Sequence, residues 1–395
     1  MYFLYIILAI MFLLFMVLVH EFGHYIVGRM LNFKITEFSV GFGKALFSRK
    51  NKRGELISLR LFPLGGYCAF AGEEETDKNN KDAFTNQAPW KRILVFLAGV
   101  TFNFATAVFF SFILLVSVGY DIPQVKSFMQ FNTTEIKHMV DEEQVVHFWD
   151  IHGIDEDLRL QEGDIVISVD GEKIDFAYGV TFGDALNKQK TKLNAHLDED
   201  KPFEEFPVFE CMVKRDGEYK TVYAGFHQVL VYKVDDNGDY ILKENSTDEY
   251  ETEYKYYWNV NSSAYVHSFT EALERAVPVA LGFAWVVLKS FFMLITFQLP
   301  ISAIGGPITT ITTIATVTQQ SSMNLLVLIP LISANLAVFN ALPIPALDGC
   351  HVVFTAIEAI RKKPIKRETE NLIHTIGLLI LFGSVILIDI LHFLL

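Results

Sequence analysis

Apolar and polar positions in this chain are segregated into long blocks. Residues 2–19 are eighteen positions without a charge, residues 93–120 are twenty-eight, and residues 325–347 are twenty-three. A fourth apolar block, residues 371–390, holds the charge-free run between His374 and Asp389. A bilayer core needs about 20 helical residues, so these blocks predict four transmembrane helices. The first has no charged residues ahead of it and no small-residue cleavage site after it, and so reads as a retained helix. A fifth stretch, residues 276–300, is broken by Lys289 and followed by Ser, Gly and Pro. It predicts an amphipathic or partly embedded helix.

Between the blocks the period changes. Residues 35–47 and 56–61 partly alternate around the turn-like Asn51-Lys52-Arg53-Gly54, which predicts a hairpin. Residues 160–174 contain a turn, a buried-looking strand and a second turn, and residues 208–213 and 220–234 supply further strands. The resulting plan is a multi-pass α-helical membrane protein with about four transmembrane helices. Residues 1–24 and 93–120 form the first two, flanking a β-hairpin region at 25–92. A β-rich module at 121–235 is followed by an acidic irregular segment at 236–275, the amphipathic helix at 276–300 and a connecting segment at 301–324. The third and fourth helices, 325–351 and 371–391, flank a basic loop at 352–370.

Composition supports that plan. Hydrophobic residues make up 51 %, with 35 Phe against 12 Pro and a mean hydropathy of +0.30, and a soluble enzyme is excluded by how the excess is concentrated. Charge sets the orientation. Basic residues, from Arg29 to Arg92 and from Arg361 to Arg367, collect in the two loops at 25–92 and 352–370, which places both on the cytoplasmic side. Residues 121–274 and both termini then face outward. That segment holds 33 acidic against 14 basic side chains, a net of −19 in a chain of −13, which excludes nucleic acid as a partner. Only one of the three cysteines, Cys211, faces outward in this topology, so no disulfide framework is expected. His138, His147, His152, His196, His227 and His267 show no ligand-like spacing.

The chemistry starts at the end of the first block. His20-Glu21-Phe22-Gly23-His24 is a complete H-E-x-x-H. On a helix the two histidines, four apart, share a face and can share a metal, with Glu21 beside them as general base. The bland alternative, two interfacial histidines and a glutamate, would leave costly polar groups needing partners. Catalytic zinc takes three protein ligands and leaves one position for water. Asp348 is the only acid between Glu274 and Glu358. Eighteen residues of helix place His20 about 27 Å from Tyr2, toward the inner face of a core about 30 Å thick. Asp348 precedes the inner basic loop, so it matches that depth. Pro343 and Pro345 break the helix there, and broken backbone at membrane depth needs a protein-lined or watery cavity. A helix cap or an ion pair is the other role open to Asp348.

These residues resemble the site-2 intramembrane metalloproteases, in particular the bacterial regulator-of-sigma-E type. That family pairs H-E-x-x-H in its first core helix with N-x-x-P-x-P-x-L-D-G in a later one, here His20–His24 and Asn340–Gly349. The resemblance extends to Phe62-Pro63-Leu64-Gly65-Gly66-Tyr67, to Gly306-Pro307 and to Ala98-Gly99-Val100-Thr101-Phe102-Asn103-Phe104. Val100 stands where the family usually has proline, and Cys350 where it has a second glycine. The resemblance implies Zn2+ held by His20, His24 and Asp348, Glu21 as the base, and Asn103 and Asn340 as substrate-binding residues. Read without it, Asn103 is equally an amide bonded to a neighbouring helix. The 25–92 region resembles a membrane-associated β element that offers an edge strand to an extended substrate, though a plain hairpin fits its pattern as well. Residues 160–174 resemble part of a PDZ domain. The implied enzyme sits in a bacterial cell membrane with its PDZ-like module extracytoplasmic. It cleaves single-span membrane proteins, such as anti-sigma factors or signal-peptide remnants, after outer trimming. A transporter, or a silent scaffold recruiting membrane partners, is the competing class.

Overall fold

The structure is a computed structural model that describes residues 2–73, 80–176, 180–194, 208–235, 238–243, 246, 249–298, 305–321, 323–363 and 365–394. Lys78 and His196 lie outside the described residues. In chain order the elements are α1 (Tyr2–Met30), β1 (Ile35–Lys50), β2 (Leu56–Phe70), α2 (Pro89–Ser117), β3 (Pro123–Phe128), α3 (Phe148–His152), β4 (Ile165–Val169) and β5 (Glu172–Lys173). They continue as α4 (Phe182–Asn194), β6 (Val208–Arg215), β7 (Glu218–Gly225), β8 (His227–Tyr232), β9 (Thr252–Tyr257) and β10 (Val260–Ala264). Five helices follow: α5 (Phe269–Ile295), α6 (Pro307–Gln320), α7 (Asn324–Ala341), α8 (Asp348–Arg361) and α9 (Arg367–Leu394). The chain divides into two compact units, residues 1–114 with 270–395, and residues 115–269.

Among its described residues, β1 and β2 are the strands of the first unit and its other long elements are helices. Five helices among the described residues have the length and apolarity to cross a membrane: α1, α2, α5, α7 and residues Glu368–Ile390 of α9. The one beyond the four apolar blocks is α5, which continues as helix through Lys289 because one lysine does not interrupt the backbone hydrogen bonds. Residues 307–320, in the segment expected to be connecting, form α6. Its free N-terminal amides are capped by an acid from α9: Asp389 accepts from the backbone amides of Ile308 and Thr309 and from the Thr309 hydroxyl. This role accounts for an acid inside an apolar block. Arg92 at the start of α2 and Glu358 of α8 form a buried ion pair at 2.6 Å, which ties α8, and with it Asp348 at its first position, to α2.

The hairpin predicted around Asn51–Gly54 is more than a hairpin. Phe38 pairs with both Ile57 and Cys68, while Arg49 also pairs with Ile57. Two long bent strands therefore build four rungs, in the order 45–50, 56–60, 37–40, 66–70, with the two outer pairings antiparallel and the register of 37–40 rising together with that of 56–59. Gly41 and Gly43, both at positive φ, allow the bend in β1. Residues 66–70 form an edge of this sheet among the described residues.

The second unit is a β-rich module. Its main sheet runs β10-β3-β4-β6-β7 with β5 on β4, and β8 and β9 pair separately. Helix α4 closes the core with Ala185, Gln189 and Leu193, four apart and so on one face. Its start carries a capping box in which the Thr181 hydroxyl accepts from the Asp184 amide and the Asp184 carboxylate accepts from the Thr181 amide. The turn at Gly163-Asp164 is held from β6. Arg215 donates twice to the fully buried Asp164, at 2.7 and 2.8 Å, and also to the Asp157 and Arg159 carbonyls.

Two histidines that looked unrelated in sequence meet in this unit. His147 Nδ1 lies 3.0 Å from His227 Nδ1, with Trp149 stacked on His147. Burial, and then the neighbouring His147, push the pKa of His227 down to about 3. Because the folded value lies below the unfolded one of about 6.5, the unfolded chain binds more protons between the two. Stability is present above pH 6.5 and is lost as the pH falls toward 3. Acid titration followed by tryptophan fluorescence is expected to show this transition, and His227→Gln to move it to lower pH. Superimposable titrations would remove His227 as the cause.

Candidate metal centre

Helix α1 carries His20 and His24 one turn apart, both buried. Asp348 reaches them from another part of the chain. Helix α7 ends at Ala341, and Leu342 turns extended ahead of the two prolines. Ala346 then takes a left-handed conformation at φ 77°, after which α8 begins at Asp348. His374 of α9 accepts the Ala346 N–H at 2.9 Å and so fixes this turn.

The three side chains converge on a small triangle. His20 Nε2 and His24 Nε2 are 3.2 Å apart, and Asp348 Oδ2 lies 2.9 and 3.3 Å from them. Ligands about 2.0–2.1 Å from a tetrahedral ion are separated by about 3.3–3.4 Å, so the triangle has the dimensions of one face of a zinc shell. The donor set agrees. His24 Nδ1 is 2.7 Å from the Val95 carbonyl, which can only accept, so the ring proton is on Nδ1 and Nε2 presents a lone pair. Asp348 Oδ2 is buried and makes no hydrogen bond despite its two nitrogen neighbours. Two imidazole nitrogens and a carboxylate oxygen, buried and all within 3.3 Å of one another, fit a cation at their centre.

Three further features shape the site, and none follows from spacing. Gly99 of α2 faces the imidazoles: a Cβ there would lie 2.5 Å from His20 Cε1 and 2.6 Å from His24 Nε2. Gly23 of α1 likewise meets the Ala98 carbonyl, where a Cβ would lie 2.6 Å away. The two helices touch through glycine, and the rings fill the space that a side chain at 99 would occupy. Glu21, outside the triangle, hydrogen-bonds to the backbone of Cys68 in the edge segment of β2. The A-G within Ala98–Phe104 is the only one of these with a signal in the sequence. Asn103 is fully buried against His20. Asn340, near the end of α7, is half-buried and has no side-chain hydrogen bond among the described residues.

A second group, His351, Glu370 and His374, also brings three ligating side chains within 4.8 Å. The two imidazoles stack face to face, with centroids 4.0 Å and planes 11° apart. An ion binds in the plane of a ring, along its nitrogen lone pair, and parallel planes at that spacing offer no common point. The His374 Nδ1 lone pair is also occupied by Ala346. This group supports the turn before Asp348.

A sequence model of peptidase family M50 matches residues 8–384. The chain belongs to peptidase family M50. It is 24 % identical to the regulator of sigma E protease of Haemophilus influenzae over 434 aligned positions, covering 93 % of this chain and 94 % of that one. Proteins of Campylobacter jejuni and Clostridium perfringens whose names carry the words zinc metalloprotease are 26 % and 27 % identical. Those alignments cover 93 % and 98 % of this chain, and 88 % and 97 % of theirs. With M50 membership over nearly its full length and a His/His/Asp cluster among membrane-length apolar helices, the chain is an intramembrane zinc metalloprotease with Zn2+ as its cofactor. The transporter and scaffold readings fall away.

Proposed function

We propose that His20, His24 and Asp348 hold the zinc, that Glu21 is the general base, and that the substrates are single-span membrane proteins whose outer part has already been trimmed. The observation that carries the ligand assignment is the triangle of two ring nitrogens and one carboxylate oxygen, with 2.9–3.3 Å sides. When bound, zinc lowers the pKa of its water and polarises a carbonyl. Glu21 takes the proton of the attacking water and passes it to the leaving amine. A helical substrate must unwind before its peptide bonds are reachable. The edge segment 66–70, bonded to Glu21 through Cys68, supplies a template on which an opened strand can pair. The half-buried Asn340 is available to a substrate backbone. The name of the Haemophilus influenzae relative, a regulator of sigma E protease, supports a substrate linked to the regulation of a sigma factor.

Topology follows from parity. With both basic loops inside and the β-rich, PDZ-like module outside, an odd number of crossings must separate the module from residues 352–370. Helix α7 is one. Helix α6, with 14 residues, is about 21 Å long, short of a core about 30 Å thick. Helix α5 therefore lies along or partly within the outer interface, which leaves four spans in a bacterial cell membrane.

Purified protein is expected to carry about one zinc per chain, and Asp348→Ala to lose it. In proteoliposomes a trimmed single-span substrate is expected to be cut and its untrimmed form spared. In intact cells a cysteine placed at Lys52 is expected to resist impermeant reagents. Full zinc retention in Asp348→Ala would overturn the ligand assignment, equal cutting of both substrates the trimming requirement, and external labelling at position 52 the orientation.

A further inference from the structure

Asn103 has no exposed surface, and its amide stands against the first histidine of the triangle. Asn103 Nδ2 is 3.2 Å from His20 Nδ1, while Asn103 Oδ1 is buried without a partner. An orphaned oxygen between helices carries the desolvation penalty of an unmade hydrogen bond. The oxygen and nitrogen of an amide occupy nearly the same shape, so a half-turn of the group exchanges them. The two orientations have opposite consequences for His20. If Nδ2 donates to Nδ1, the ring proton sits on Nε2, which then has no lone pair to offer. If Oδ1 accepts from Nδ1–H, the Nε2 lone pair points at the triangle, as ligation requires, and the amide nitrogen takes the place that no partner faces.

We propose that Asn103 is a positioning residue that accepts the Nδ1 proton of His20, holding the ring in the tautomer and orientation that ligate metal. It does for His20 what the Val95 carbonyl does for His24. The inference rests on the reading of His20 as a zinc ligand. It departs from a substrate-binding role, because a side chain with no exposed surface presents no free group to a substrate. Both histidines then take their partners from α2, the helix that reaches them through Gly99, so one helix sets the tautomer of two ligands.

The test compares wild type, Asn103→Ala, Asn103→Asp and His20→Ala as full-length purified proteins. Zinc affinity is read by chelator competition, and kcat and KM on a single-span substrate at saturating zinc. Asn103→Ala is expected to weaken zinc binding about 10–100-fold, with KM held within about twofold. Asn103→Asp, whose carboxylate still accepts from Nδ1–H, is expected to stay within about threefold of wild type. The visible spectrum of the cobalt-substituted protein is expected to change in the alanine variant and not in the aspartate one. Unchanged zinc affinity with a raised KM in Asn103→Ala would overturn the proposal and return Asn103 to the substrate. Equal losses in the alanine and aspartate variants would overturn it too. Unchanged affinity in His20→Ala would instead overturn the ligand reading, so the two failures are separable. If Asn103→Ala does not fold, nitrogen NMR of metal-free wild type labelled at histidine decides: a ring proton on His20 Nδ1 before any metal is added supports the proposal, and one on Nε2 rejects it.

Discussion

Glu21→Gln is expected to abolish peptide cleavage while the protein keeps its zinc and its fold. Glu21 sits beside His20 in the sequence but outside the triangle of ligating atoms, so its carboxylate is free to act on water. Glutamine keeps the size and the ability to hydrogen-bond to Cys68, and loses the ability to accept a proton at neutral pH. General-base catalysis contributes about 10²–10⁴-fold, so kcat/KM is expected to fall by at least about 10²-fold. Zinc content, measured on the same preparation by elemental analysis, is expected to match wild type. Equal fragment yield from the two proteins would remove Glu21 from the mechanism. Loss of zinc together with activity would show that Glu21 holds the site together rather than serving as its base.

The second large effect is expected from a single methyl group. Gly99→Ala places a Cβ 2.5 Å from His20 Cε1, 2.6 Å from His24 Nε2 and 2.7 Å from His20 Nδ1. These are far inside van der Waals contact, and neither ring can yield freely. His24 is held by the Val95 carbonyl and His20 by Asn103. Nor can the helices separate cheaply, since α1 meets α2 again through Gly23 and the Ala98 carbonyl. Overpacking in a tight core costs about 1–3 kcal/mol, which if taken entirely from the metal site weakens zinc binding about 5–150-fold. Thr101→Ala, on an exposed position of the same helix, is the control and is expected to bind zinc as wild type does. Wild-type zinc affinity and cleavage in Gly99→Ala would refute the close approach of α2 to the imidazoles.

Much of this molecule is legible one residue at a time, because the bilayer imposes constraints that act locally. A charge-free block must be a helix, since no other open segment satisfies its own backbone in hydrocarbon; hence α1, α2, α7 and α9 follow from hydrophobicity alone. His20 and His24 share a face because four residues are about one helical turn. Asp348 could be singled out because acids are rare in such blocks. Helix α5 was less legible, because an interrupted apolar run specifies a helix without specifying whether it crosses.

The sequence by itself therefore determined the helices, the metal-binding residue types and the family resemblance. Only the tertiary structure decided what depends on which surfaces meet. The four-rung arrangement of β1 and β2 arises from residues 37–40 pairing on both sides, which alternation cannot encode. The roles of Gly99 and Asn103 exist only because α2 packs on α1. The His374–Ala346 and Asp389–Thr309 contacts join residues distant along the chain. Periodicity reports the face a residue shares with its own helix, and carries no information about the helix across from it.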